Sequence, residues 1–278
     1  MSQLTWNRYG KSGIRLVRIA RDGEAHDLQD LTVAVRFEGN FEAAHLAGDN
    51  TSILPTDTMK NTVYALARET GAEEIEDLGL ALSKHFLEGN PAASSVEVSI
   101  EQRLWNRLDP SAFEGSRSDR RTTRVSRGRK GTTIESGLSD LLILKSARSA
   151  FAGFRRDRYT TLAETHDRIL ATSLTAVWTH SSEGARAAWE AVRRTLLATF
   201  AAHDSASVQH TLYAMGEAAL GGHPQLARIR LTMPNRHHLL VDLSRFGIAN
   251  ENEIFVATEE PYGLIEATIT RETERRPR

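Results

Sequence analysis

Small polar side chains crowd the segment Pro55-Thr56-Asp57-Thr58-Met59-Lys60-Asn61-Thr62, where a helix is predicted to begin. The first turn of a helix has backbone N–H groups without intrahelical acceptors, so it can bind an anion or a polar ring. The simpler interpretation is a capped helix in which Thr56 or Asp57 supplies the N-cap oxygen. The segment alone leaves both interpretations open.

A second polar segment, Met233-Pro234-Asn235-Arg236-His237-His238, interrupts a predicted strand near Pro234. Asn235 and His237 share one face of an extended chain, whereas His238 points to the other face. The adjacent histidines therefore do not favour a metal site, since zinc requires further ligands nearby. Asn235 and His237 are candidate site residues, and a structural or exposed histidine is the alternative.

Lys11 stands in Tyr9-Gly10-Lys11-Ser12-Gly13, just before the first predicted strand, and is either a solvated loop lysine or a buried catalytic one. Aromatic and arginine side chains mix from Phe151 to Leu162 and on to Arg168. A planar, anionic, nitrogen-rich ring would stack on such an aromatic and pair with such an arginine. The alternative is a surface segment between domains.

Seven cationic residues fall within Arg117–Lys130, which raises the possibility of a nucleic-acid-binding module. No aromatic residue interleaves the run, and the chain carries a net charge of −1, so no general attraction to nucleic acid follows. An exposed hairpin or an arm between subunits is the favoured interpretation.

The chain has 278 residues, 40% of them hydrophobic, and no cysteine, which excludes disulfides, thiolate nucleophiles and cysteine metal sites. The motifs of phosphate loops, dinucleotide-binding folds, HExxH metalloproteases and GxSxG hydrolases are also missing. The N-terminus lacks the apolar core of a signal peptide, no apolar run could span a bilayer, and the C-terminus is not a peroxisomal signal. We expect a cytoplasmic protein without a membrane partner.

The elements that must position these residues begin with a hairpin of residues 14–21 and 31–38, joined by Arg21-Asp22-Gly23. Leu31, Val33, Val35 and Phe37 alternate toward one face of the second strand. Two helices follow, one after Pro55 and one over residues 72–88, then a strand from Val96 to Ile100 with a predicted partner over 132–144.

The second half repeats this plan, with a strand over 174–178, helices over 184–203 and 208–220, and strands over 226–243, 253–258 and 264–270. Thr62-Val63-Tyr64-Ala65-Leu66 resembles Thr211-Leu212-Tyr213-Ala214-Met215, each on a helix expected to precede a similar strand. We predict an α+β protein of two tandem repeats, residues 1–140 and 141–278. Each would be an antiparallel sheet covered on one face by helices, and an oligomer would bury the other face.

Taken together, these segments resemble the urate oxidase (uricase) family. The matching pieces, in the family's order, are Gly10-Lys11, Pro55 to Tyr64, Leu144-Lys145-Ser146, Phe151 to Phe154, Arg156-Asp157, Tyr159 to Leu162, Glu164-Thr165, Asp167 to Leu170, Ser207-Val208-Gln209, Pro234 to His237 and Gly263-Leu264-Ile265. The arginine-rich run matches no motif of the family, and its role is left unassigned.

The resemblance implies the tunnelling fold, with two repeats per chain and sheets of several subunits closed into a barrel. It implies a homotetramer with active sites at subunit interfaces. Lys11, Thr56 and Asp57 of one chain would then face the remaining site residues of a neighbour.

The resemblance also implies a reaction of urate with O2 and water that needs no metal or flavin and gives 5-hydroxyisourate and hydrogen peroxide. Arg168 and Gln209 would clamp the urate edge, while Phe151 stacks on its face. The backbone N–H groups of Val208 and Asp57 would bind ring heteroatoms, and Asn235 would hold oxygen or the attacking water. Lys11, Thr56 and His237 would form a proton relay.

Two rivals to this interpretation come from different classes. One is another enzyme of the same fold acting on a pterin or a purine, although its zinc-dependent members use cysteine and histidine ligands and this chain has no cysteine. The other is a nucleic-acid-binding module built on the arginine run, which strongly salt-dependent binding would support.

Overall fold

The computed structural model describes residues 2–21, 23–115 and 118–272. Asp22 of the predicted turn, Arg117 of the arginine run and the C-terminal Arg275–Arg278 lie outside the described residues. The chain forms two compact units, Met1–Gly137 with Thr179–Arg186, and Leu138–Trp178 with Ala187–Arg278. The predicted repeat boundary after residue 140 remains a prediction.

Within the described residues, unit 1 contains seven strands and three helices, and its last strand continues into unit 2. The strands are β1 (Tyr9–Arg21), β2 (His26–Gly39), β3 (Ala93–Arg103), β4 (Asn106–Asp109), β5 (Ala112–Glu114), β6 (Arg120–Gly128) and β7 (Gly131–Lys145). The helices are α1 (Glu42–Leu46), α2 (Thr56–Glu69) and α3 (Ile75–Gly89).

The sheet of unit 1 runs in the order β1-β2-β3-β6, followed by the first part of β7, and its first three pairs are antiparallel. The predicted alternation in β2 is confirmed, since Leu31, Val33, Val35 and Phe37 are each at most 1% exposed. These side chains form one core with Met59 and Val63 of α2 and with buried residues of α3. Burying apolar area at roughly 25 cal/mol per Å² is what holds these helices on the sheet.

Unit 2 contains the rest of β7, five further strands and two helices. They are β8 (Leu170–His180), α4 (Trp189–Ala202), α5 (Val208–Gly222), β9 (Leu226–Arg236), β10 (His238–Leu240), β11 (Phe255–Ala257) and β12 (Gly263–Thr270). Strands β9 and β12 pair antiparallel, and β10 and β11 form a small separate hairpin. The α+β class is therefore confirmed.

Three elements of unit 2 repeat elements of unit 1 at a constant spacing. Helix α2 begins at residue 56 and α4 at residue 189, which is 133 residues later, and both have 14 residues. Helices α3 and α5, of 15 residues each, and strands β3 and β9, of 11 residues each, keep the same spacing. The C-caps Asn90 and His223, also 133 apart, have the same φ of −131° and ψ of 88°.

This spacing corrects the local match on which the repeat was predicted. That match pairs residue 62 on α2 with residue 211 on α5, and α2 is followed by α3 rather than by a strand. By order and length, α2 corresponds to α4, and α5 corresponds to α3. The Thr-x-Tyr-Ala similarity therefore pairs the first helix of one set, α2, with the second helix of the other, α5.

The described part of the arginine-rich run is the first strand and the turn of the β6–β7 hairpin, which lies within the sheet and is exposed mainly at Arg129 and Lys130; this corrects the prediction of a wholly exposed segment. Most of the run is β6, which pairs with β3 over Arg120–Gly128. The sequence analysis had predicted residues 132–144 as the partner of that strand. Its cations meet carboxylates: Arg121 pairs with Glu74 and Glu76, Arg124 with Glu97 and Glu135, and Arg127 with Glu183. Strand β6 thus joins the sheet with its arginines paired.

Among the described helices, none is long and apolar enough to cross a membrane.

Candidate functional site

Lys11 lies within a strand and not in a loop before it, because β1 already begins at Tyr9. The pairing of β1 with β2 shifts register between Lys11 and Ile14, and Gly13 in this bulge has a left-handed φ of +69°. At Gly10 an added Cβ would lie 2.0 Å from the carbonyl oxygen of Val35, so only glycine allows this approach. Two glycines therefore set the backbone that carries the half-buried Lys11.

Thr56 and Asp57 occupy the first two positions of α2, and neither is its N-cap, contrary to the capped-helix interpretation. The N-cap is Pro55, and no side chain caps this end. The helix packs against β1, and its start is tied there by the Leu54 N–H, which donates to the Tyr9 hydroxyl at 3.0 Å. The uncapped first turn keeps backbone donors, including the Asp57 N–H, available for a ligand.

The Asp57 carboxylate is exposed and forms an ion pair with Lys60 at 2.5 Å and a hydrogen bond from the Asn61 amide at 3.1 Å. The Lys60 ammonium, with smaller contributions from Asn61 and the charge of Lys11, holds the pKa of Asp57 below its usual value. Asp57 is thus ionised at neutral pH, so its side chain is unsuited to hold an anion and its backbone N–H is the group to consider.

A second group forms in unit 2 around the short segment that ends at Phe151. On one side, Ser149 forms a parallel bridge with Ser205, and the Ala150 N–H donates to the Ser205 carbonyl at 2.7 Å. On the other side, Phe151 exchanges two backbone hydrogen bonds with Thr165, and the Arg168 N–H donates to the Ser149 carbonyl at 2.8 Å. This segment therefore brings Phe151, Arg168 and the turn before α5 together.

Arg168 places its guanidinium carbon 5.3 Å from the centre of the Phe151 ring. Burial of the side chain lowers the pKa of Arg168, which nevertheless remains charged in any ordinary buffer. Its Nε is buried and has no hydrogen-bond partner within the part of the chain that the structure describes. A buried donor without an acceptor is costly unless a ligand supplies one, so this half-buried guanidinium is suited to hold an anion.

Val208 and Gln209 are the first two residues of α5, directly after the bridged Ser205. Ser207 is the N-cap, and its hydroxyl accepts from the His210 N–H at 3.1 Å. That cap satisfies one donor of the first turn, while the N–H groups of Val208 and Gln209 have no intrahelical acceptor. The Val208 side chain is buried and that of Gln209 is exposed.

Asn235 is the next-to-last residue of β9, and His237 directly follows the strand. The interruption of the strand therefore lies at His237, whereas the sequence had suggested Pro234. Pro234 lies inside β9 and pairs with Leu264, and the side chain of Asn235 is 8% exposed. The Asn235 side chain has no hydrogen-bond partner among the described residues. The carbonyl of His237 accepts from the Thr258 N–H at 2.9 Å, which ends the strand.

The predicted residues are divided between the two units: Lys11, Thr56 and Asp57 lie in unit 1, and Phe151, Arg168, Val208, Gln209, Asn235 and His237 lie in unit 2. Within unit 2, Asn235 and His237 share no hydrogen bond with the other four among the described residues.

Sequence reasoning gave no role to two residues that organise these groups. Phe154 stacks on Phe151 with ring centres 4.9 Å apart and planes 12° from parallel. Tyr9 holds the start of α2. Each stands close in sequence to a predicted site residue, two or three positions away, and that spacing was the available signal.

Comparison with known proteins identifies the family of the chain. The family profile described as Uricase matches residues 7–133 and again residues 134–266. The uricase of Arthrobacter globiformis is 44% identical over 97% of this chain and 90% of its own length. The uricase of Dictyostelium discoideum is 37% identical over 99% of this chain and 100% of its own length.

Solved structures agree as well. The crystal structure of the Arthrobacter globiformis uricase superimposes with a TM-score of 0.94 at 43% identity, covering 100% of this chain and 98% of that one. The Bacillus fastidious uricase shares the fold, with a TM-score of 0.83 at 23% identity over 95% of this chain and 93% of that one. The chain therefore belongs to the uricase family of oxidoreductases.

Proposed function

We propose that the protein oxidises urate with O2 and water to 5-hydroxyisourate and hydrogen peroxide, without a metal or an organic cofactor. Membership of the uricase family supports the substrate. The reaction balances, because urate gives up two electrons and two protons to O2, and the oxygen of water adds to the ring carbon left electron-poor.

The observation that carries the proposal is the buried, unpartnered Nε of Arg168 beside the Phe151 ring. Urate is a planar monoanion at neutral pH, so one guanidinium offsets its charge while an aromatic ring stacks on its face. The turn before α5 brings the Val208 N–H and the Gln209 side chain to the same segment. We assign Arg168 and Gln209 to a clamp on the ring edge and the Val208 N–H to a ring heteroatom.

The group in unit 1 supplies the proton chemistry in this proposal. Lys11 supports the Thr56 hydroxyl as the base that removes a second proton from urate, and His237 completes the relay. The resulting dianion is electron-rich enough to reduce O2 directly. The Asp57 N–H binds the far edge of the ring, and the partner-free amide of Asn235 holds oxygen and then the attacking water above it.

We further propose that the protein is a homotetramer of the tunnelling fold, in which Lys11, Thr56 and Asp57 of one chain complete the site of a neighbour. Two tandem repeats, residues 1–140 and 141–278, would build each chain. The constant spacing of 133 residues between α2 and α4, α3 and α5, and β3 and β9 supports a duplication. The two matches of the family profile support it independently.

The proposed partners are urate, O2 and further copies of the chain, without nucleic acid or membrane, in the cytoplasm. The carboxylate partners of the β6 arginines support the exclusion of nucleic acid, because a paired cation releases little free energy on binding phosphate.

The test uses purified protein dialysed against a chelator and mixed with urate in air. Loss of the urate ultraviolet band is followed together with O2 uptake and peroxide release. Equal amounts of O2 consumed and peroxide formed, with chelator present, are expected. Absence of urate loss from an assembled protein would reject the proposal and direct the search to pterins, while activity that needs added metal would reject cofactor independence.

A further inference from the structure

Tyr9 is a partly buried phenol whose ring is fixed by two other aromatic rings. Its ring centre lies 5.6 Å from that of Phe37 and 4.8 Å from that of Phe41, both edge to face. Phe37 and Phe41 are completely buried, so they anchor the phenol to the core of unit 1. Ring packing alone therefore fixes the position of the Tyr9 hydroxyl, independently of any hydrogen bond that it forms.

The partner of this hydroxyl is the N–H of Leu54, which donates to it at 3.0 Å across 45 positions of the chain. The other hydrogen bonds of the segment before α2 are local: the Ile53 N–H donates to the Asn50 carbonyl, and the Thr51 N–H donates to Asp49. Among the described residues, the bond to Tyr9 thus ties this segment to the sheet.

Packing replaces that bond only in part, since Ile53 and Leu54 pack, half-buried, against the core of unit 1. An open cavity of about 450 Å³ separates residues 51–55 from residues 89–92 on the other side of the segment. A segment with an open cavity on one side shifts when a long-range hydrogen bond that ties it to the sheet is removed. Its motion would pass directly to Thr56, because only Pro55 separates Leu54 from the start of α2.

We propose that Tyr9 is a positioning residue whose hydroxyl fixes the distance between Lys11 and Thr56. Tyr9 and Lys11 lie two residues apart on β1, before the bulge, so their side chains leave the same face of the strand. One phenol thereby joins the backbone of Lys11 to the backbone that carries Thr56. This inference rests on the proposed function, in which these two residues act together on one proton.

The experiment compares Tyr9→Phe with wild type and with Tyr213→Phe, which removes the hydroxyl of a tyrosine that is 53% exposed. The phenylalanine keeps the ring contacts and removes only the acceptor for Leu54. Small misplacements of catalytic groups lower rates by up to about a hundredfold, and we expect a kcat lower by roughly ten- to a hundredfold in Tyr9→Phe. Urate affinity, measured without O2, should fall much less than kcat, because the Arg168 group is untouched and only the Asp57 N–H moves with Thr56.

A double-mutant cycle separates positioning from general damage. In the Lys11→Met background, Tyr9→Phe should have little further effect on kcat, since the distance it sets no longer matters. Unchanged kcat in Tyr9→Phe, or losses that multiply in the double variant, would overturn the inference. So would parallel losses of kcat and anaerobic urate affinity.

A measurement on wild type covers the case in which Tyr9→Phe does not fold. Hydrogen exchange of the Leu54 amide should be slowed by at least tenfold relative to the exposed Thr51 region, because the hydrogen bond protects it. Exchange at the rate of a free loop would contradict the inference. Absence of urate turnover in wild type would instead reject the proposed function and leave the Leu54 result standing.

Discussion

Arg168 is a half-buried cation, and part of its guanidinium has lost contact with water. Its Nε has no acceptor within the described part of the chain, and its guanidinium faces the Phe151 ring. Such a group gains more from an anionic ligand than an exposed arginine does, because its desolvation has already occurred. We therefore expect Arg168 to contribute to urate affinity more than to the rate of the chemical step.

Replacing Arg168 with alanine should weaken urate binding by roughly a hundredfold, because a charge-assisted bidentate contact contributes a few kcal/mol. Anaerobic titration of urate against the protein measures this. The matched control is Arg194→Ala, which removes an exposed arginine of α4. Unchanged affinity in Arg168→Ala would show that the clamp has been assigned to the wrong side chain.

Replacing Lys11 with methionine, or Thr56 with alanine, should lower kcat by two to four orders of magnitude, the usual contribution of general acid–base catalysis. Assembly and anaerobic urate affinity should be retained. Lys84→Met, at an exposed lysine of α3, is the control for loss of a charge alone. Turnover close to that of wild type in either site variant would remove it from the relay.

Most of the residue-scale proposal was available from the sequence, because the site segments carry their own chemistry. What the sequence did not give was the environment of each residue. The ion pair of Asp57 with Lys60 and the missing partner of Arg168 depend on neighbours that only the folded chain supplies. The same holds for Tyr9, whose partner lies 45 positions away.

At the scale of elements, periodicity predicted most helices and strands. It failed at β6, where charged side chains alternate with buried ones. Arginines in β6 suggested an exposed arm, yet Thr123 and Val125 alternate between them and are buried. Glutamates on α3 and on neighbouring strands pair these arginines and keep β6 inside the sheet. Tertiary ion pairs are not a local property, so propensity and pattern could not reveal them.

Beneath the start of α3, a buried chain of hydrogen bonds depends on pH. The Ser136 hydroxyl donates to Glu76 at 2.6 Å and lies 2.8 Å from the Nε2 of His180. Since Ser136 has one proton to donate, His180 must donate from Nε2, which leaves its buried Nδ1 unprotonated and without a partner among the described residues. Burial, with the charge of Arg186, lowers the pKa of His180 to about 4.

This pKa lies below that of an unfolded histidine, so acid destabilises the folded protein. As pH falls from about 6.5 to about 4, His180 is protonated in the unfolded chain and stays neutral in the folded one. This difference lowers the free energy of unfolding by at most about 3 kcal/mol. Denaturant unfolding at fixed protein concentration between pH 7.5 and pH 4 measures it. The variant His180→Gln should lose stability at pH 7.5 and show a flatter pH dependence. A slope equal to that of wild type would mean that other groups cause the acid sensitivity.

At the scale of the whole molecule, the proposed base and the proposed anion clamp belong to different compact units of the chain. The equal lengths and constant spacing of α2 and α4, and of α3 and α5, support the proposed duplication of one ancestral unit. After duplication, one copy could keep the base and the other the clamp, provided that oligomerisation brings them together.

If sites form between subunits, two defective variants should restore each other at a urate concentration too low for Arg168→Ala to bind. Lys11→Met damages one group and Arg168→Ala the other, so co-expression in equal amounts should leave both groups intact in about a quarter of the sites of randomly mixed oligomers. Purification through two different affinity tags isolates the mixed oligomers, and urate turnover per chain reports the restored sites.

The control for this experiment pairs Lys11→Met with Thr56→Ala, two changes in the same group, which leave every copy of that group defective. Mixed oligomers of that pair should stay as inactive as their parents. Restoration in the first pair and not in the second would require sites built from two chains. Equal inactivity in both pairs would mean that each chain completes its own site, and the proposed subunit exchange would be wrong.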